Sequence, residues 1–163
     1  MTIRLVLVGC GAAKQDLDEG ETVPAADLYT SSYAALKRGY AEAYGDRWGI
    51  LSAEHGAIAP DERIGTYDTV IGDLDADEIE GWVDSVGATL EEWVAAELSD
   101  GAECVEIELL AGRAYIDPLR PVLSTWGDVG PVSIRFPFDE TSGIGEQMGW
   151  LRERIDAGDG CGE

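Results

Sequence analysis

Apolar and polar positions follow each other along the chain in a repeated strand–helix order. The run at residues 3–8 is almost continuously apolar, which is typical of a strand covered on both faces. Shorter apolar runs predict strands at residues 48–51, 104–111 and 132–136. Apolar residues at helical spacing predict helices from Ser31 to Gly45 and over residues 75–98, 118–125 and 144–155. Polar segments at residues 15–26, 57–67 and 137–145 predict loops and turns.

This order predicts one three-layer, Rossmann-like α/β domain over residues 1–156. We expect a mostly parallel sheet of at least four strands, with right-handed crossovers that place helices on both faces. Residues 157–163 are rich in glycine and aspartate, and they predict a disordered acidic tail.

Small and polar residues stand where each predicted strand ends. The carboxyl ends of parallel strands meet at one edge of a sheet, so four such clusters are expected to converge on one crevice. The clusters are Cys10 with Lys14; Ser52, Glu54, His55 and Gly56; Gly112, Arg113 and Tyr115; and Gly143 with Gly145.

The large excess of acidic residues indicates a protein adapted to concentrated salt. The chain of 163 residues has 33 acidic against 11 basic residues, a net charge of −22, and its only lysines are Lys14 and Lys37. Because the acids are dispersed, the composition resembles that of proteins from salt-in halophiles; the alternative is an acidic mimic of nucleic acid or a binder of basic partners. No apolar run suits a membrane span or a signal peptide, so we expect a cytoplasmic protein with no membrane partner. The oligomeric state is left open.

Cysteine and histidine are too few and too scattered for a metal site. There is no Cys-x-x-Cys pair and one histidine, His55, so we expect no tightly bound metal; the cofactor is left unknown. Cys104 lies in a strand and is predicted to be core, whereas Cys10 follows a strand where chemistry could use it. Lys37 lies on a predicted helix and is expected to serve as the matched control for Lys14.

Several short motifs are spread over nearly the whole chain: Cys10-x-x-x-Lys14, Asp27-Leu-Tyr29-x-Ser31, Leu51-Ser-Ala-x-His-Gly56, Tyr67-Asp68, Gly112-x-x-Tyr115 and Gly143-x-Gly145-x-Gln147. Together they resemble an uncharacterised family found in bacteria, phages and haloarchaea, domain of unknown function 6884. More distantly, the Cys-x-x-x-Lys and Tyr-x-Ser steps resemble the peroxide-stress YaaA proteins and the lysine-transfer core of archaeosine synthase, which implies nucleobase or nucleic-acid chemistry. In archaeosine synthase a proline follows that lysine, whereas this chain has Gln15 there.

The leading hypothesis is a small enzyme that acts on a nucleobase, nucleoside or nucleotide. His55 would be the general acid or base, because its unperturbed pKa lies nearest neutrality, and Glu54 or Asp68 would orient it. Lys14 and Arg113 would bind phosphate or polarise a leaving group, and Cys10 would be a nucleophile if the strand-end loop lowers its pKa. The substrate-binding candidates are Tyr29, Ser31, Ser52, Gly56, Tyr67, Asp68, Gly112, Arg113, Tyr115, Gly143 and Gly145, of which Tyr29 and Tyr115 would stack on a base. The alternatives are a non-catalytic module that binds a nucleotide or nucleic acid, and an interaction domain with a vestigial site.

Overall fold

A computed structural model describes residues 2–9, 14–67, 69–126, 130–141 and 143–161. Its seven strands and five α-helices follow one another largely in the predicted order. In chain order they are β1 (Thr2–Gly9), β2 (Val23–Pro24), α1 (Ala25–Leu28), α2 (Ser32–Tyr44), β3 (Arg47–Ser52), β4 (Gly56–Ile58), β5 (Arg63–Ile64), α3 (Ala76–Ser99), β6 (Cys104–Leu110), α4 (Arg113–Trp126), β7 (Val132–Arg135) and α5 (Ile144–Cys161). Short 3₁₀ turns lie at Ile71–Asp73 and Pro137–Glu140.

The main sheet has five strands in the order β4-β3-β1-β6-β7. Strands β3, β1, β6 and β7 are parallel, and β4 is antiparallel to β3. The four parallel strands therefore end at the same edge of the sheet, which confirms the predicted mostly parallel α/β fold. Strand β1 lies at the centre, and its last five residues are buried, as its continuous apolar run predicted.

Helices cover both faces of the sheet. Alternate residues of β1 serve the two layers: Leu5 and Leu7 join one hydrophobic core, and Val6 and Val8 join the other. The first core is built with α3 and α4, and the second with α2 and α5. This is the three-layer arrangement that the strand–helix order predicts.

Capping residues explain where helices α2 and α3 begin. The Ser31 hydroxyl accepts a hydrogen bond from the backbone N–H of Ala34 and caps α2. Asp75 and Glu78 form a capping box at the start of α3. Both helix starts were predicted from the sequence to within about two residues.

Helix α4 begins five residues before the predicted start. Pro118 was expected to occupy the first turn, but both Pro118 and Pro121 lie inside the helix. A proline inside a helix removes a hydrogen bond and costs about 3 kcal/mol. Three residues at helical spacing, Ile116, Leu119 and Leu123, are nevertheless buried in the core, and their burial favours a continuous helix.

Two other expectations from the sequence differ from the structure. The loops predicted at residues 15–26 and 57–67 contain β2, β4 and β5, which are too short to show a strand pattern. Cys104 is exposed, because it is the first residue of β6 and lies where that strand enters the sheet.

None of the helices within the described residues has the length and apolar character needed to cross a bilayer.

Candidate functional site

A hydrogen-bonded chain of hydroxyl groups lies at the carboxyl edge of the sheet, beside the end of β3. The Ser52 hydroxyl donates to the Tyr67 hydroxyl at 2.9 Å, and the hydroxyls of Tyr67 and Tyr29 share a hydrogen bond at 2.6 Å. Ser52 is fully buried, and both tyrosines are half-buried. The motif residues Tyr29, Ser52 and Tyr67, which are far apart in sequence, therefore meet at one place.

Backbone pairing between two predicted loops brings these tyrosines together. Strands β2 and β5 form a small antiparallel ladder, in which Val23 pairs with Ile64. Tyr29 follows β2 by five residues, and Tyr67 follows β5 by three. Lys14 joins the same unit through an isolated antiparallel bridge to Tyr29. The polar segments that the sequence presents as loops thus position the site.

The turn after β3 is held by the same serine. The Ser52 hydroxyl oxygen accepts hydrogen bonds from the backbone N–H groups of Glu54 at 3.2 Å and His55 at 3.1 Å. Gly56 closes the turn with φ of +75°, a conformation that favours glycine. The Trp82 indole N–H donates to the Ser52 carbonyl at 2.8 Å and connects the turn to α3. The functional candidate Gly56 therefore has a conformational role in shaping this turn.

An ammonium and an imidazole contact the Tyr67 ring. Lys14 Nζ lies 4.4 Å from the ring centroid, within cation–π range, and 5.9 Å from the Tyr29 centroid. The exposed His55 ring meets Tyr67 edge-on, with the centroids 5.4 Å apart. The structure thus brings together one cation, one acid–base group and two phenols, a set that can bind an anion and transfer a proton.

Two carboxylates were predicted to orient His55. The Glu54 carboxylate accepts a hydrogen bond from the Thr69 hydroxyl, and Glu54, His55 and Thr69 line one side of an open cavity of about 400 Å³. Thr69 was not identified as a site residue, because a lone threonine in a loop carries no pattern. The other carboxylate, Asp68, and the predicted nucleophile Cys10 lie outside the described residues.

Three of the remaining candidates line a separate cavity at the ends of β6 and β7. Gly112, Arg113 and Gly143 lie in the wall of this cavity, whose volume is about 360 Å³. Its other polar wall is an ion pair between Arg120 and Asp139, with N···O distances of 3.0 and 2.6 Å. The hydrogen bond from Arg120 holds the pKa of Asp139 below its usual value, so this carboxylate stays ionised. The expected single crevice therefore consists of two parts. One is the group of side chains in contact with Tyr67, here called the Tyr67 cluster, which is formed by Lys14, Tyr29, Ser52, His55 and Tyr67. The other is this cavity.

Tyr115 lies beside the end of β1 and contacts α3. Its ring packs against Trp82 with centroids 5.8 Å apart. A Cβ atom placed on Gly9 would lie 3.7 Å from Cδ2 of Tyr115 and 2.9 Å from the Cβ of Ala111, so glycine is required at the end of β1. Gly145 lies in the first turn of α5, and Ser31 caps α2.

Lys37 does not lie on the surface as expected. Its side chain is 6% exposed, and its ammonium donates to the carbonyl of Gly9, the last residue of β1. The same ammonium lies 4.1 Å from the centroid of the Tyr33 ring. A lysine amid the apolar positions of α2 gives no signal of this placement, and a buried Lys37 is not a matched control for Lys14.

Tyr33 connects Lys37 to the cavity at the ends of β6 and β7. Its hydroxyl donates to the side-chain carbonyl of Gln147, which lines that cavity. Burial raises the pKa of Tyr33 to about 12, so this phenol remains a neutral donor near neutral pH. Within the described ranges, no group of three or more His, Cys, Asp or Glu side chains could hold a metal ion.

The chain belongs to the family of unknown function DUF6884, whose sequence model matches residues 5–153. This confirms the family resemblance suggested by the motifs. The uncharacterized protein YfjM of Bacillus subtilis (strain 168) is 27% identical over 161 residues, an alignment that covers 94% of this chain and 95% of YfjM. No solved structure matches the chain.

Proposed function

We propose that this member of DUF6884 is a small enzyme that acts on a nucleobase, nucleoside or nucleotide at the carboxyl edge of its sheet. One observation carries this proposal: the Lys14 ammonium and the His55 imidazole both lie against the ring of Tyr67. A cation for an anionic group and a proton-transfer group within one small region are the minimum that such chemistry needs.

Each residue has a role that its position supports. Lys14 binds the anionic part of the substrate as a point charge, and His55, which is exposed, transfers the proton. The rings of Tyr29 and Tyr67 provide half-buried aromatic surface against which a base can pack. Arg113 extends the site into the neighbouring cavity, where a second part of the substrate fits. Cys10 as nucleophile, and Glu54 or Asp68 as the group that orients His55, belong to the same proposal.

The arrangement of the arginines argues against a nucleic-acid-binding module. Five of the nine pair with carboxylates, which reduces the basic charge that could face a phosphate backbone: Arg4 with Glu106, Arg38 with Asp27 and Glu42, Arg47 with Glu97, Arg120 with Asp139, and Arg135 with Glu106 and Glu108. Binding to a phosphate backbone relies on clustered basic residues, which a chain of net charge −22 would have to concentrate on one face.

The test is an activity screen with two site variants. Purified protein is incubated in molar KCl with a panel of nucleobases, nucleosides and nucleotides, and products are separated by chromatography. We expect turnover of one class, a loss of about 100-fold or more in kcat for His55→Gln, and a raised KM for Lys14→Ala, with less than about 1 kcal/mol change in stability for Lys14→Ala.

Arg152→Ala is the matched control for the lost charge. Arg152 is exposed on α5, far along the chain from the site, so its loss should leave kcat and KM unchanged. Full activity in His55→Gln would contradict the catalytic role, and ligand binding without turnover would favour the non-catalytic nucleotide-binding module.

A further inference from the structure

The cavity at the ends of β6 and β7 has a hydrogen-bond acceptor fixed in its wall. The Asp139 carboxylate accepts two hydrogen bonds from the guanidinium of Arg120, at 3.0 and 2.6 Å, and that guanidinium lies 4.4 Å from the centroid of the Phe136 ring. All three residues line the cavity. A carboxylate has about four lone-pair sites on its two oxygens, so Asp139 can accept from a ligand while it stays paired with Arg120. The ion pair thus holds an acceptor in a defined position.

A hydrogen-bond donor is fixed in the same cavity. Gln147 lines it, and the side-chain carbonyl of Gln147 accepts a hydrogen bond from the Tyr33 hydroxyl. Burial raises the pKa of Tyr33 to about 12, so the phenol keeps the proton that it donates. This bond sets the orientation of the amide, and the NH₂ end of Gln147 is the end that donates to a ligand. The cavity therefore combines an anionic acceptor with an amide donor, the two partners that hydroxyl groups need.

The remaining walls suit the carbon skeleton of a sugar. Leu109, Ile116 and Phe138 give the cavity apolar surface, and its volume is about 360 Å³. Pockets for small molecules begin at about 300 Å³, and they typically have mostly apolar walls with a few polar groups in fixed positions. The cavity has the size and the composition of such a pocket.

The position of the cavity agrees with the roles assigned to the Tyr67 cluster. In the sheet, β1 separates β3 from β6, so the ends of β3 and β6 lie about 10 Å apart, a distance that one nucleotide can span. In a nucleotide the base and the 5′ phosphate group leave one face of the ribose ring, and the 2′ and 3′ hydroxyls leave the other face. A base against Tyr29 and Tyr67, with its phosphate at Lys14, would therefore direct the two hydroxyls away from the Tyr67 cluster.

We infer that this cavity binds the 2′,3′-diol of a ribose, with Asp139 accepting hydrogen bonds from the hydroxyls and Gln147 donating to one of them. The substrate is then a ribonucleoside or a ribonucleotide, and not a free nucleobase or a deoxynucleotide. The inference rests on the proposed function and deepens it, because it names the second part of the substrate, while Lys14 keeps the anionic group.

Binding of matched ligands tests the diol. The 5′-monophosphates of adenosine, guanosine, cytidine and uridine, and their 2′,3′-dideoxy analogues, are titrated into the full-length protein in molar KCl by isothermal titration calorimetry. We expect at least one ribonucleotide to bind, and its dideoxy analogue to bind at least about tenfold more weakly, because a site built for hydroxyls is left with unpaired polar groups. Equal Kd values for the two forms, or no binding of any ribonucleotide, overturn the inference.

Two variants assign the discrimination to its residues. Asp139→Asn should weaken binding of the ribonucleotide at least about tenfold, the loss expected for a hydrogen bond to a charged group, and should leave the Kd of the dideoxy analogue within about twofold. Gln147→Ala should also lower the ratio of the two Kd values. A ratio that stays at the wild-type value in either variant overturns the inference. Asp139 is exposed, so its variant decides alone if Gln147→Ala does not fold.

Asp84→Asn is the matched control. It makes the same chemical change at an exposed position of α3, and it should leave both Kd values unchanged.

The two proposals fail in different ways. A ribonucleotide that binds through its diol but is not turned over removes the enzyme and keeps the diol site. Turnover of a free nucleobase, or of a deoxynucleoside at the rate of the ribonucleoside, keeps the enzyme and removes this site when that turnover is lost in His55→Gln.

Discussion

Ser52 serves three neighbours with one fully buried hydroxyl group. Ser52→Ala should lower the free energy of unfolding by about 1–3 kcal/mol, because two backbone N–H groups and the Tyr67 hydroxyl lose a partner. Tyr67→Phe should cost about 1 kcal/mol, and the double variant less than the sum of the two, since they share a hydrogen bond. Urea unfolding in molar KCl measures all three. Ser124→Ala, exposed on α4, is the control and should stay within about 0.5 kcal/mol. Additive effects would show that the serine and tyrosine act independently.

Burial of Tyr33 gives a pH dependence at the alkaline end. Its pKa is raised from 10.0 to about 12 in the folded protein, so the folded state keeps a proton that the unfolded state loses. Its stabilising contribution is therefore fully present below pH 10 and is lost as the pH rises towards about 12. Unfolding measured from pH 9 to pH 12 should show falling stability, with a smaller fall in Tyr33→Phe. Equal slopes in the two proteins would contradict this assignment.

The site was partly predictable because some of its residues carry their chemistry in local sequence. Ser52 and His55 follow an apolar strand, and a polar turn at that point is expected at a ligand-binding edge. The burial of Lys37 could not be predicted, because it depends on which way α2 faces, and the lysine stem occupies an apolar position of that helix. The separation of Arg113 from the Tyr67 cluster likewise depends on strand order, which local patterns do not encode.

At the scale of elements, the residue after α2, Gly45, has no room for a side chain. Its φ is −87°, so the left-handed conformation usual for a glycine after a helix is absent. A Cβ there would lie 2.7 Å from the carbonyl oxygen of Ala41 and 3.0 Å from that of Arg47. Gly45→Ala should therefore destabilise the protein by about 1–3 kcal/mol. Gly81→Ala is the matched control: Gly81 lies within α3 with nothing within 4 Å of its Cβ position, and this change should stabilise by about 0.5–1 kcal/mol. Thermal unfolding of the pair checks both signs, and equal effects would contradict the packing argument.

Long elements with a clear period were predicted well, and short ones were not. Helix α3 shows a stripe of apolar residues over its whole length and was placed to within two residues. Strands β2 and β5 have two residues each, and their pairing is decided by tertiary contacts. Local propensity predicts that the prolines limit α4, but burial of its apolar stripe stabilises the helix more than the prolines destabilise it.

At the scale of the whole molecule, a net charge of −22 on 163 residues should make stability depend on salt. The acids repel one another in dilute buffer, and the Debye length falls from about 30 Å at 0.01 M salt to about 3 Å at 1 M, so added salt removes this repulsion. The melting temperature should therefore rise from dilute buffer to molar KCl. A triple variant of exposed acids on α3, Asp84→Asn with Glu91→Gln and Glu92→Gln, has a smaller negative charge and should show a shallower rise. Arg152→Ala makes the net charge more negative and should show a steeper rise. Calorimetric scans of the three proteins across the salt series measure the slopes. A melting temperature that is flat or falls with KCl, or slopes that do not follow net charge, would show that self-repulsion does not govern the stability of this fold.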